Sequence, residues 1–191
     1  MSSPASEALK TESTPLDGVV IVEPRVFGDD RGFFSESYNR KAFAEVTGFD
    51  GDFVQDNHSR SVRGVVRGMH YQLPPDEQGK LVRCVGGEVF DVAVDIRSSS
   101  PTFGEWAGAV LSDHNHRQLW VPAGFAHGFM AMSDVADVLY KTTTYYASGA
   151  ERSIRWDDRA IGIEWPDVGV KAILSERDLA APTLDQAETF A

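Results

Sequence analysis

The segment "RGMHYQLPPDEQGKLV", Arg67 to Val82, sets His70 between two cations, Arg67 and Lys80. Histidine titrates near neutrality and suits proton removal at physiological pH. Arginine forks match phosphate oxygens two at a time, and a lysine ammonium can face an oxygen where negative charge develops. Together the three suit proton abstraction from an anionic substrate. Arg60, Arg63 and Arg83 extend the basic span. The plain alternative is a structural strand histidine with solvated cations nearby. Strict alternation from Arg67 sends His70 to the opposite face of a strand. Either a bulge at Gly68 resets the parity, or the two residues serve different places.

A histidine base works best with a carboxylate behind its ring. Asp91, Asp95 and Asp178 are the candidates. In "SERD", Ser175 stands where a helix N-cap would, with Asp178 three positions on, so spacing alone favours a capping box for Asp178. Tyr140, in "VLYKTTTYY", can serve as an acid opposite a base if its hydroxyl reaches a pocket, and packs in the core otherwise. Tyr145, Tyr146, Phe33 and Phe34 could stack on a ligand ring, with core packing as the default for each. His127 in "VPAGFAHGF" resembles the second histidine motif of metal-binding cupins. The first motif of that pair, His-x-His followed by Glu, is missing from the segment holding His70, and "DHNHRQ" with His114 and His116 reads as a solvated turn. No metal site is expected.

Short β-strands must position these residues. Apolar runs broken by Gly, Pro and Asp recur from Val19 onward: "GVVIVEPRVF", "DFVQDNHSRS", "VVRGMHYQL", "GEWAGAVLS", "RQLWVPAGFAHGFMAMS", "DVLYKTTTYYA" and "RSIRWDDRAIGIEW". "KLVRCV", Gly86–Gly87 and "EVFDVAVDIR" together read as a β-hairpin, with Phe90, Val92, Val94 and Ile96 forming one apolar face. Only "NRKAFAEVTG", capped by Asn39 and stopped by Gly48, and the segment around "LSERDLAAPTLDQAETF" read as helical. The pattern predicts an all-β fold, a double-sheet jelly roll with a few short peripheral helices.

Composition narrows the function. The chain has 191 residues and a formal net charge of −11, which argues against gripping a nucleic acid backbone yet permits a small anionic ligand in a local basic cluster. Cys84 is the only cysteine, so no intrachain disulfide or thiolate zinc site is expected, in keeping with a cytoplasmic protein. The polar N-terminus carries no apolar leader, and no apolar run is long enough to span a membrane. Residues 1–16 read as a flexible extension and 17–191 as a single domain.

In order, "FGDDRGFFSESYN", "FVQDNHSRS", "VVRGMHYQ", "QGKLVRCVGGEVFDVAVDIR", "SPTFGEW", "RQLWVPAGFAHGF", "LYKTTTYY", "ERSIRWDD" and "LSERDLAAPTL" resemble the dTDP-4-dehydrorhamnose 3,5-epimerases from about Asp17 to Leu184. The resemblance implies a cupin-type jelly roll without a catalytic metal or cofactor, a homodimer, and a dTDP-4-keto-6-deoxy sugar as substrate. It implies His70 as base, Asp178 as its partner, Tyr140 as acid and Lys80 beside the sugar ketone. It also implies substrate contacts by Arg31, Phe34, Glu36, Gln55, Asp56, Asn57, Arg67, His127, Tyr146, Glu151 and Arg177. Two positions depart from the pattern. Met69 stands where leucine is common, a mild packing change, and Arg177 where lysine occurs, which keeps the charge.

Overall fold

The computed structural model describes residues 9–191. Two antiparallel sheets face one another. The first has six strands in the order β1 (Leu9–Ser13), β2 (Val20–Pro24), β10 (Gln118–Val121), β7 (Lys80–Gly86), β12 (Val135–Thr142) and β5 (Gln55–Val62). The second has five: β13 (Glu151–Ser153), β6 (Val66–Gln72), β11 (Phe125–Ala131), β8 (Glu88–Asp95) and β9 (Trp106–Ser112). A separate hairpin, β3 (Val26–Asp29) and β4 (Gly32–Ser35), projects from neither. The helices are α1 (Arg40–Thr47) and the four-residue α2 (Glu176–Leu179). The expected double-sheet jelly roll is present.

The core lies between the sheets, where Val82, Cys84, Leu119 and Val138 of the first meet Val89, Ala93, Phe125 and Phe129 of the second. The outer face of the second sheet is also covered. Met69, Tyr71, Val92, Val94 and Ile96 pack against Ile154, Ile161 and Leu184 of the C-terminal segment. Strand β8 is therefore buried on both faces, and its apolar alternation faces the C-terminal segment. Its other face, with Asp91 and Ala93, points into the jelly roll.

Several elements differ from expectation. β7 and β8 do not pair as a hairpin; they belong to different sheets. Gly86–Gly87 is a corner at which the chain changes layers, and Gly87 has a φ of 74°, with Val135 O only 2.1 Å from where a Cβ would stand. Two alternating runs joined by glycines describe a hairpin and a corner equally well, and only partner choice separates them. Leu9–Ser13, expected to belong to a flexible extension, pair with β2, and Leu16 is buried; Leu9 and Leu16 supply the apolar anchors in a polar stretch. Residues 1–8 of that extension lie outside the described residues. "RSIRWDDRAIGIEW" contributes only β13, because its apolar residues dock as irregular chain on the second sheet.

α1 forms as expected. The Asn39 side chain accepts a hydrogen bond from Ala42 N at 3.1 Å, and Gly48 ends the helix with a φ of 76°. The helix buries Phe43 edge-on against Trp120, with Phe49 and Phe53 around it. Burying that one ring contributes about 2–3 kcal/mol.

Candidate active site

One end of the space between the sheets is polar. Gln55, Asn57, His70, Tyr71, Gln72, Gln78, Lys80, Tyr140, Tyr146 and Glu151 line a cavity of about 160 Å³. His70 comes from β6 of the five-stranded sheet; Lys80 and Tyr140 come from β7 and β12 of the six-stranded one. The histidine and the phenol thus enter from opposite walls. A larger concavity of about 440 Å³ lies between β4 and the outer face of the six-stranded sheet, around Phe33, Arg83 and His116. It contains none of this constellation.

The parity problem of β6 is resolved by a bulge. His70 stands opposite His127 and Arg67 opposite Phe129, with the register shifting between them. Three steps on β6 match two on β11, so Arg67 and His70 both face inward. Gly68 makes this possible: it has a φ of 136°, and a Cβ there would lie 2.5 Å from Gly128 Cα. Arg67 Nε then donates to Ser61 Oγ at 3.1 Å.

His70 Nε2 lies 2.6 Å from Asp178 Oδ1. Asp178 sits in α2, whose cap is made by the Ser175 side chain accepting from the Asp178 backbone N at 3.1 Å. The residue therefore caps through its backbone and holds the histidine through its carboxylate. Burial pushes the Asp178 carboxyl up, but the His70 hydrogen bond and charge, with Ser175 and Arg177, bring it below its ordinary value. An ionised carboxylate at Nε2 places the ring proton there and leaves Nδ1 free to accept one.

Lys80 is buried, and its Nζ donates to the His70 carbonyl at 3.0 Å. Burial pushes its ammonium down to about 8, opposed by Asp91 and Glu151. Burial also raises the Tyr140 phenol, with the Arg67 charge acting against it, so the hydroxyl keeps its proton at neutral pH. Glu151 accepts from Tyr146 OH at 2.6 Å and from Arg177 Nη1 at 2.7 Å. Burial raises the Glu151 carboxyl, but these two partners hold it below its usual value. This clasp links the 143–150 loop to α2 beside the cavity.

Not every expected contact is assembled here. Asp56 follows Gln55 on one strand and so points to the other face, where Lys141 Nζ binds it at 2.9 Å. His127 does not line the cavity; it is buried behind it, with Nε2 2.8 Å from Asp91 Oδ1. Arg31 and Phe34 lie on the β3–β4 hairpin, Glu36 just beyond it, and all three are exposed and outside this cavity. Arg31 is held there by Asp29. Asp95 is bound by Arg97, Ser100 and Thr102 and is remote in role from the histidines.

Gln72 and Gln78 line the cavity without having been expected to. Gln72 bonds Asp76 O and Ala147 N, and Gln78 donates to Thr144 O, so both pin the loop carrying Tyr146. Gln72 was readable as the inward position two beyond His70; Gln78, in a loop, carried no such signal.

An imidazole and a phenol on opposite walls, with an ammonium among the groups lining the same cavity, suit inversion at a carbon made acidic by an adjacent carbonyl. A family model described as dTDP-4-dehydrorhamnose 3,5-epimerase matches residues 13–186. The chain belongs to the dTDP-4-dehydrorhamnose 3,5-epimerase family. It is 59% identical to such an epimerase from Salmonella typhimurium, over 91% of this chain and 94% of that protein. The fold superposes on a 3,5-epimerase from Legionella pneumophila, in complex with dTDP-4-keto-L-rhamnose, with a TM-score of 0.90 and 50% identity, covering 93% and 94% of the two chains. It is also similar, at 36% identity and a TM-score of 0.84, to a 3'-monoepimerase from Streptomyces bikiniensis in complex with dTDP-quinovose, covering 91% and 88%. The family thus includes members described as inverting one carbon.

Proposed function

We propose that this chain inverts C3 and C5 of dTDP-4-keto-6-deoxyglucose, giving dTDP-4-keto-L-rhamnose. The observation carrying this reading is the placement of His70 and Tyr140 on facing sheets around one cavity. The C4 ketone acidifies the C–H bonds on either side of it, because the carbanion delocalises onto oxygen. His70 Nδ1 removes a proton, and Asp178 balances the imidazolium as it forms. Lys80 faces the enolate oxygen; a charge placed in advance where negative charge develops contributes about 3–4 kcal/mol. Tyr140 returns a proton to the opposite face, which inverts the centre without an oxidant. Arg67 anchors the diphosphate, and binding that remote group fixes the reacting carbons. Gln55, Asn57, Tyr146, Glu151 and Arg177 shape the nucleotide end.

We further propose a homodimer. Phe27, Phe33 and Phe34 are 51%, 65% and 70% exposed on one projecting hairpin, an apolar cluster whose burial against a second copy supports this reading. Arg31, Phe34 and Glu36 reach substrate in this arrangement only if the hairpin approaches the cavity of a second copy.

Incubation with dTDP-4-keto-6-deoxyglucose in deuterium oxide tests the chemistry. Label at two carbons with L-configured product is expected. Label at C3 alone would identify a monoepimerase, and no exchange would overturn the reading. Tolerance of the described fold for a non-catalytic binding role is answered by the same experiment. Sedimentation at micromolar concentration tests the dimer, and a monomer refutes it.

A further inference from the structure

Behind His70 lies a second histidine–carboxylate pair that the reaction scheme leaves unused. His127 stands directly opposite His70 across β6 and β11, so the two rings share the inner face of the sheet. Asp91, on β8 opposite Phe129, faces the same way. It is 0% exposed. Its Oδ1 accepts from His127 Nε2 at 2.8 Å, while its buried Oδ2 has no hydrogen-bond partner among the described residues. A carboxylate so enclosed needs a compensating positive charge. Lys80 enters from the opposite sheet, and its one hydrogen bond among the described residues is to the neutral carbonyl of His70, the residue opposite His127.

We propose that Asp91 is a positioning residue of this site: walled off from the cavity, its carboxylate fixes the His127 ring and supplies the buried charge that holds Lys80 as an ammonium. The inference rests on the epimerase reading for its consequence, since Lys80 is useful to an enolate only when charged. The titratable groups that act on Lys80 or line the cavity with it are Asp91 on β8, Glu151 on β13, His70 on β6, and Tyr140 on β12. Among these, the attraction of Asp91 for the ammonium is the largest, ahead of Glu151. Glu151 already shares its charge with Arg177 and Tyr146. Asp91 has no such competitor, because its histidine partner can donate while neutral.

The test is a lysine titration followed by NMR of ε-13C-labelled protein, with the Lys80 signal assigned by its absence in Lys80→Met. In the native chain the midpoint is expected at about 8. Asp91→Asn should lower it by roughly one to three units, and the alkaline fall of epimerase activity should move with it. His127→Gln, which keeps a donor toward Asp91 and leaves its charge, should keep the native midpoint. An unmoved midpoint in folded Asp91→Asn overturns the proposal, as does an equal shift in His127→Gln. If Asp91→Asn does not fold, the double variant Asp91→Asn/Lys80→Met decides. Recovery of folding supports a charge pair, and equal failure shows that Asp91 serves only the fold. The titration needs no substrate, so absence of epimerase turnover would refute the functional reading without touching this result.

Discussion

Asp178→Asn isolates the charge behind the base. The native contact is 2.6 Å between His70 Nε2 and Asp178 Oδ1, and the Asp178 side chain is 6% exposed. The helix cap survives the change, because Ser175 bonds the Asp178 backbone N. What is lost is attraction between the carboxylate and the imidazolium that exists only once the proton has moved. With charge centres about 4 Å apart and an effective dielectric of about 20, that attraction is ~4 kcal/mol. Since it acts in the transition state and not on the neutral ring, it lowers kcat by about three decades and leaves KM nearly unchanged. The assay is the initial rate of deuterium incorporation at C3 and C5, with unfolding curves to confirm a native fold. A folded Asp178→Asn that loses less than tenfold in kcat would show that the carboxylate is not the stabiliser of the charged base.

Other expectations follow from the same geometry. Activity should fall above pH about 8 as Lys80 loses its proton. Lys80→Met should lose about two to three decades in rate while lowering the Tm, because Asp91 is left buried without its cation; an unchanged Tm with full activity contradicts both roles. Tyr140→Phe should retain proton exchange at the substrate but slow inversion by about 10²–10⁴, and normal product yield by NMR would remove Tyr140 as the acid. Gly68→Ala should cost about 3 kcal/mol or more in urea unfolding, through strain at positive φ and collision with Gly128. A neutral outcome would mean that the bulge is dispensable.

Asp95 offers a pH test of stability. Burial raises its carboxyl, but Arg97, Ser100 and Thr102 donate to it and hold it well below the usual range. A depressed carboxyl stabilises the fold fully above its unfolded value of about 3.9 and loses that contribution as pH falls toward the folded value. Asp95→Asn should therefore cost about 3 kcal/mol at pH 7, and the gap to the native protein should narrow below pH 4. A constant gap across that range rejects the linkage.

Much of the site was legible in residue order. His70, Lys80 and Tyr140 stood in distinct short motifs, Gln55 and Asn57 on alternating positions of one strand, and the caps of α1 marked its ends. These are local properties: hydrogen-bonding capacity, period and φ preference act within a few residues. The sequence also contained the three aspartates that could serve a histidine. Which aspartate meets which histidine was not legible there. Asp178 is 108 positions from His70 and reaches it only because the C-terminal segment packs back over the second sheet. Spacing near Ser175 favoured a cap, and the cap is real, but a backbone N–H satisfies it and frees the carboxylate. Likewise alternation could not distinguish Asp56 from its neighbours until β12 fixed which face was inside, nor decide between a hairpin and a corner at Gly86–Gly87. By itself the sequence determined the inventory of chemical groups and the strand period, because those depend on covalent structure and near neighbours. Tertiary structure alone decided the pairings, the bulge that turns Arg67 and His70 to one side, and the facing of imidazole and phenol, because each depends on which distant strands share hydrogen bonds.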